Sequence, residues 1–229
     1  MYVLKFRGAG QGAKALIAEL VAGEIARAAQ LPIPEIVLME LDPDLARTEP
    51  DPEIQELIKA SAGLNIALDY LPGAVMFDPL AGGPAPRLAS DIVWFDAFVT
   101  NVDRTPRNAN MLMWHRQLQL IDHGAALYFH HSWDEYMRRA SDPFTRVKDH
   151  VLLPFAGELN EADARMSERI TPRVLEDIVG LIPEVWLGSE ALFATRAENR
   201  DAYTKYLQHR LKQPHAFVQE AIHARSQLV

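Results

Sequence analysis

The stretch NVDRTPRNANMLMWHRQLQLIDHG, residues 101–124, decides the fold of this chain. It places an aspartate, an amide and a second aspartate around two short apolar runs. Asp103 and Asn108 precede the first run, and Asp122 directly follows the second. The gap between Asp103 and Asp122 fits a hairpin of two short strands, so we expect the three polar side chains to belong to one site.

The residue types in this stretch predict phosphoryl-transfer chemistry. Carboxylate and amide oxygens are hard donors, which suit magnesium held together with substrate phosphates. We therefore predict Asn108 and Asp122 as metal ligands and Asp103 as the group that accepts a proton from an attacking hydroxyl. The alternative is that Asp103 and Arg104 form a plain surface ion pair, which would contribute little to stability.

A cation for the phosphates is the next part that such a site requires. Lys5 lies within a predicted strand over residues 2–7, and Glu19 lies on the helix that follows, among small residues at helical spacing. Because small residues let a helix approach a sheet closely, a Lys5–Glu19 pair is expected. Glu24 is the rival partner, but its spacing from Arg27 favours a pair within the helix.

Hydrophobic periodicity predicts an α+β chain with a small N-terminal lobe and a larger, mostly helical C-terminal lobe. We place the boundary beside a linker at 80–86, which gives lobes over residues 1–79 and 80–229. Ser90 is expected to cap a helix that runs to residue 101. The predicted elements of the first lobe are strands over 2–7, 35–41 and 65–71, helices over 13–29 and 52–60, and a solvated loop over 42–53.

The composition excludes several classes of function. The chain has no cysteine, which rules out disulfides, zinc-thiolate sites, iron–sulfur clusters and thiol catalysis. The formal net charge is -8, so a nucleic-acid partner is not favoured. No apolar run approaches the ~18 residues of a membrane span. The N-terminus lacks the features of a signal peptide, and the expected location is the cytoplasm.

Two further motifs have alternative interpretations. The run GAGQG at residues 8–12 matches neither the complete dinucleotide-binding pattern nor the complete P-loop pattern, so a flexible strand-to-helix connection is expected. A metal cluster of His123, His130 and His131 is not expected, because adjacent residues of a strand point in opposite directions. Three aromatic residues at helical spacing are expected in the core rather than in a stacking platform: Trp94, Phe95 and Phe98.

The window NVDRTPRNANML followed by LIDHG resembles the catalytic core of HipA-like kinases and, more distantly, that of phosphatidylinositol kinases. The segment YVLKFRGAGQGAKALIAELVAGEIARAAQLPIPE resembles the lysine strand and glutamate helix of the HipA-like family. The resemblance implies a protein-kinase-like fold of two lobes that uses ATP and magnesium. It makes Asp103 the catalytic base, Asn108 and Asp122 the metal ligands, and Lys5 the group on the phosphates.

The strand before the linker has the position of the hinge in a two-lobed kinase, so the backbone groups of Asp69, Tyr70 and Leu71 are expected to bind adenine. The chain departs from the family pattern at His123, which replaces the phenylalanine of Asp-Phe-Gly, and at Thr105, where relatives often carry histidine. The chain also begins at the lysine strand, whereas kinases of this kind have two further strands and a phosphate-covering loop before it. We therefore expect a truncated N-terminal lobe, or phosphates that are covered differently.

The leading hypothesis is a HipA-like kinase that transfers the γ-phosphoryl group of ATP to a hydroxyl. A protein serine or threonine, a lipid head group and a small molecule all need the same core. The first alternative, prompted by the truncated lobe, is a non-catalytic interaction module with a kinase-like fold. The second alternative is an unrelated hydrolase that uses the aspartates and histidines.

Overall fold

The computed structural model describes residues 1–188 and 191–228, which form a mixed α/β fold of two lobes. The first lobe is a three-stranded antiparallel sheet in the order β1-β3-β2, with Lys5 opposite Ile66 and Tyr2 opposite Asp69. Its elements are β1 (Tyr2–Lys5), α1 (Ala13–Ala28), β2 (Ile36–Leu41), α2 (Pro52–Ala60) and β3 (Gly63–Asp69). The central strand, β3, is buried over Asn65–Leu68, which explains its apolar sequence.

Helix α1 packs closely against the sheet because its sequence is rich in small residues. Every residue from Leu16 to Ala26 is buried. A Cβ atom added to Gly23 would lie 2.3 Å from Cδ1 of Ile36, so glycine permits the close approach of α1 to β2. The helix begins after Gly12, whose φ of 65° falls in the left-handed region that favours glycine.

The second lobe combines the predicted hairpin with six helices among the described residues. Strands β5 (Met111–Trp114) and β6 (Gln117–Leu120) form the hairpin, and β4 (Val75–Met76) pairs with β5. His115 and Arg116 at the turn both have positive φ, as a tight two-residue turn requires. The helices are α3 (Pro86–Phe98), α4 (Tyr136–Arg139), α5 (Leu159–Arg169), α6 (Pro172–Gly180), α7 (Arg196–Lys212) and α8 (His215–Ser226).

The start of α3 differs from the prediction. The helix begins at Pro86, with Ala85 as its N-cap, because proline at the first helical position already has the required φ. Ser90 lies one turn inside the helix. Its hydroxyl donates to the Pro86 carbonyl at 2.7 Å and accepts from the Glu158 N–H at 2.8 Å, so it joins α3 to the segment before α5. The helix ends at Phe98 rather than at residue 101, since Thr100 has a φ of 53°.

Other boundaries shift by a few residues. Strand β1 ends at Lys5, so this lysine closes the strand instead of lying in its middle, and β3 covers 63–69 rather than 65–71. The predicted loop at 42–53 contains a 3-10 helix, Pro43–Thr48. The predicted linker contains part of another 3-10 helix, Pro79–Ala81, and its last residue, Pro86, belongs to α3.

The main apolar core runs through both lobes, and a second, smaller cluster lies in the first lobe and contains Leu41, Ala46 and Ile58. The main core contains α1 residues such as Ile17 together with the three predicted core aromatics of α3: Trp94, Phe95 and Phe98. In the described part of the chain, none of the helices combines the length and the apolar character needed to cross a bilayer. The lobe boundary between residues 79 and 80 stays a prediction.

Candidate active site

Lys5 joins three separate elements by two short ion pairs. Its Nζ lies 2.6 Å from Oε2 of Glu19 on α1 and 2.5 Å from Oδ1 of Asp122, which follows β6. The predicted Lys5–Glu19 pair is therefore present. The rival carboxylate, Glu24, pairs with Arg27 within the helix. The structure thus brings together three predicted site residues that are far apart in the chain.

The charges of this cluster support one another. Burial alone would raise the pKa of Glu19, but the His123 ring and the Lys5 ammonium outweigh burial and lower that pKa to about 2. Burial would lower the pKa of Lys5, yet Glu19 and Asp122 together raise it. At neutral pH, Lys5 is an ammonium and Glu19 is a carboxylate.

Asp103 and Asn108 form the second part of the site. Nδ2 of Asn108 donates to Oδ2 of Asp103 at 2.6 Å. Two backbone hydrogen bonds of 3.0 Å between Thr105 and Asn108 fix the turn that separates them. Because the NH2 end of the Asn108 amide faces Asp103, its Oδ1 atom stays available to a metal.

A buried ionic network supports this loop. Arg104 is buried and donates from Nε to Oδ2 of Asp96 at 2.5 Å, so the surface pair with Asp103 is wrong. Nε2 of His150 and Nδ2 of Asn101 also contact the Asp96 carboxylate, at 2.9 and 2.8 Å. Burial would raise the pKa of Asp96, but Arg104 and His150 lower it far below its usual range.

This network was missed from the sequence. Its one local signal is Asp96 inside the apolar run IVWFDAFV of α3, where an unpaired carboxylate would be costly. The partner Arg104 is only 8 positions from Asp96, but His150 is 54 positions away, in a segment without regular periodicity.

Asp122 has a left-handed backbone conformation. Asp122 has a φ of 56°, and its side chain is 52% exposed, so the carboxylate faces open space beside Lys5. His123 is buried where Asp-Phe-Gly proteins carry phenylalanine. Its ring packs edge-on against Phe95, with 5.8 Å between centroids, and Nδ1 lies 3.4 Å from Oε1 of Glu19. The His123 ring therefore packs against α3 as a phenylalanine ring could.

The predicted hinge has only one free backbone donor among the described residues. The N–H of Asp69 donates to the Glu35 carbonyl at 2.8 Å, and the N–H of Tyr70 donates to the Met1 carbonyl at 2.9 Å. The N–H of Leu71 makes no such bond in the described part of the chain.

The donor set of the site fits magnesium better than a metal held by protein alone. The described residues contain no group of three or more histidine, cysteine, aspartate or glutamate side chains suited to a metal. Oδ1 of Asn108 and the exposed carboxylate of Asp122 are hard oxygen donors. Magnesium typically takes one or two such ligands and completes its coordination with water and substrate phosphates.

The contacts place the predicted residues in two adjoining groups. Lys5, Glu19 and Asp122 form one, and Asp103 with Asn108 forms the other. Asn110 connects the two groups through contacts to the Asp103 side chain and to the Asp122 carbonyl.

Comparisons with known proteins give one family and one fold. A family model described as HipA-like kinase matches residues 1–219. The solved structure of the Helicobacter pylori proinflammatory kinase CtkA is similar, with a TM-score of 0.56 and 14% identity over 99% of this chain and 91% of that chain. At this identity the likeness concerns the fold alone. A search of curated proteins gave no match. Because the family model covers most of the sequence, the chain belongs to the HipA-like kinase family.

Proposed function

We propose that this kinase-like protein transfers the γ-phosphoryl group of ATP to a hydroxyl acceptor, including serine or threonine of a protein, in a magnesium-dependent reaction. The observation that carries the proposal is the meeting of Lys5, Glu19 and Asp122 beside the Asp103–Asn108 pair. These groups supply the three parts of phosphoryl transfer: a proton acceptor, hard oxygen ligands and a cation for the phosphates.

Asp103 is the proposed proton acceptor. Its Oδ2 atom is held by amide donors, while Oδ1 has no hydrogen bond among the described residues and is open to an acceptor. The acceptor oxygen forms a bond to the γ-phosphorus as the bond from that phosphorus to the bridging oxygen breaks. ADP leaves with the bond's electron pair, and the hydroxyl proton passes to Asp103.

Lys5 provides the positive charge near the phosphates. Glu19 and Asp122 use two of its three N–H donors, which leaves the third for a phosphate oxygen. Asn108 and Asp122 would hold the magnesium ion, which supplies charge neutralisation for the phosphates when bound. Leu71 would donate its N–H to adenine, with Asp69 and Tyr70 shaping the hinge.

The competing function is a non-catalytic interaction module. It is favoured by the outer edge of β1, which pairs with no other strand in the described residues and exposes Tyr2 and Val3. An unpaired strand edge is a ready surface for another chain. A cytoplasmic location and the lack of a nucleic-acid partner stay predictions from composition.

Binding and transfer measured on the same samples separate the two functions. We expect the wild-type chain to bind magnesium-ATP and to phosphorylate a mixture of serine- and threonine-containing peptides. Asp103→Asn should bind equally well but transfer at least about 100-fold more slowly, as expected for loss of a general base. A wild-type chain that does not bind magnesium-ATP at millimolar concentration would contradict the proposal and favour the interaction module.

A further inference from the structure

We infer that Asn110 is a positioning residue, which orients the Asp103 carboxylate and ties it to the loop that carries Asp122. The inference rests on the proposed function, because it assigns a role within the same phosphotransfer site. Its basis is the set of contacts made by the Asn110 amide and carbonyl.

The backbone of Asn110 is fixed from two sides. The residue is buried, with 4% of its surface exposed, and its φ of 47° lies in the left-handed region that asparagine tolerates better than most residues. Its carbonyl accepts from Nη1 of Arg104 at 2.5 Å and from the N–H of Ile121 at 3.0 Å. Asn110 is therefore anchored both to the buried Arg104 network and to the residue before Asp122.

The side chain of Asn110 spans the two parts of the site. Its Nδ2 atom lies 3.3 Å from Oδ2 of Asp103 and 3.5 Å from the Asp122 carbonyl. The reverse orientation of the amide would place Oδ1 against a carboxylate, so Asp103 selects the donor orientation. Both contacts are long, and hydrogen bonds of this kind commonly tighten only when substrate is bound.

A second amide on Asp103 has a specific use. Asn108 contacts the same oxygen, Oδ2, at 2.6 Å, and it is also a proposed metal ligand. A rotation of Asn108 that improves its other contacts would release Asp103 if no second donor were present. Asn110 is not a proposed metal ligand, so its amide can hold Oδ2 of Asp103 while Asn108 rotates. This contact keeps Oδ1 of Asp103 directed to the acceptor.

The test compares two substitutions that preserve the backbone. Asn110→Gly removes the amide, and glycine adopts the observed φ without strain. Asn110→Asp keeps the shape but replaces the donor by an acceptor facing Asp103. The matched control is Gln30→Gly, because Gln30 is exposed, has a φ of 61° and lies just after α1. Each protein is assayed for its melting temperature, its dissociation constant for magnesium-ATP and its kcat for ATP turnover.

We expect Asn110→Gly to lower kcat by about 10- to 100-fold, the loss typical of a misplaced catalytic group, with magnesium-ATP affinity changed by less than about twofold. Asn110→Asp should lower kcat further, and Gln30→Gly should change neither quantity. An unchanged kcat in Asn110→Gly would overturn the inference. A fall in kcat matched by an equal loss of affinity and a lower melting temperature would overturn it too, since that pattern indicates a merely structural role. Failure of the wild-type chain to bind magnesium-ATP would instead refute the proposed function, and the inference with it.

Discussion

Removing the charge of Asp96 should destabilise the protein strongly, although this residue touches no proposed substrate. Asp96 is fully buried and faces three donors: Nε of Arg104 at 2.5 Å, Nδ2 of Asn101 at 2.8 Å and Nε2 of His150 at 2.9 Å. Asp96→Asn keeps the shape of the side chain, but it leaves the Arg104 guanidinium as an uncompensated charge in the core.

The magnitude follows from this burial. Breaking a buried ion pair by neutralising one partner costs about 3–5 kcal/mol. Domains are stable by only about 5–15 kcal/mol, so this loss is a large share of the free energy of unfolding. Because Nη1 of Arg104 also holds the Asn110 carbonyl, the catalytic loop should loosen as well.

The assay is urea unfolding followed by circular dichroism, with Asp91→Asn as the control on the same helix. Asp91 pairs with Arg165 at 2.7 Å, but the Arg165 side chain is 19% exposed and also has Glu158 at 3.7 Å. Water and Glu158 can compensate Arg165, so we expect a cost of about 1–2 kcal/mol there. Equal losses in the two variants, or a loss below about 1 kcal/mol in Asp96→Asn, would refute the reasoning.

Three further perturbations test other contacts. The pKa of Glu19 falls from 4.5 to about 2 on folding, so its stabilisation is complete above pH 4.5 and is lost as pH falls towards 2. In urea titrations across this interval, the free energy of unfolding of the wild type should fall by about 3 kcal/mol, and that of Glu19→Gln should not. Equal falls in the two proteins would contradict this role of Glu19. Lys5→Met should weaken magnesium-ATP binding about tenfold or more in calorimetry, since it removes a charged donor, and unchanged affinity would argue against its role. Gly83→Ala should cost about 1–3 kcal/mol because the new Cβ would lie 2.3 Å from Cδ1 of Phe155, whereas Gly180→Ala, with nothing within 4 Å, should cost nothing.

The parts of the site that follow local patterns were predictable from the sequence. The β5–β6 hairpin was expected because the gap between Asp103 and Asp122 fits two short strands, and the structure confirms it. The Lys5–Glu19 pair was expected because small residues around Glu19 permit close approach to the sheet. In both cases the deciding interaction lies within a strand–turn–strand or strand–helix unit.

The parts that depend on distant segments were not predictable. The pairing of Lys5 with Asp122 joins residues 117 positions apart. The contact of His150 with Asp96 depends on an irregular segment that only the folded chain brings to α3. The prediction of Ser90 as the N-cap of α3 was wrong, although serine is a common N-cap residue. The helix begins earlier, at Pro86, and the Ser90 hydroxyl instead accepts a hydrogen bond from the Glu158 N–H.

The most direct test of the account is calorimetric binding of magnesium-ATP to the wild-type chain and to Asp122→Asn. Asparagine tolerates the φ of 56° at this position and preserves the shape, so only the charge changes. The control is Asp44→Asn, because Asp44 is exposed and its pair with Arg47 lies within a 3-10 helix. The account predicts magnesium-dependent binding that Asp122→Asn weakens by about 10- to 100-fold and Asp44→Asn leaves unchanged. Equal affinity in all three proteins, or no binding by the wild type, would contradict it.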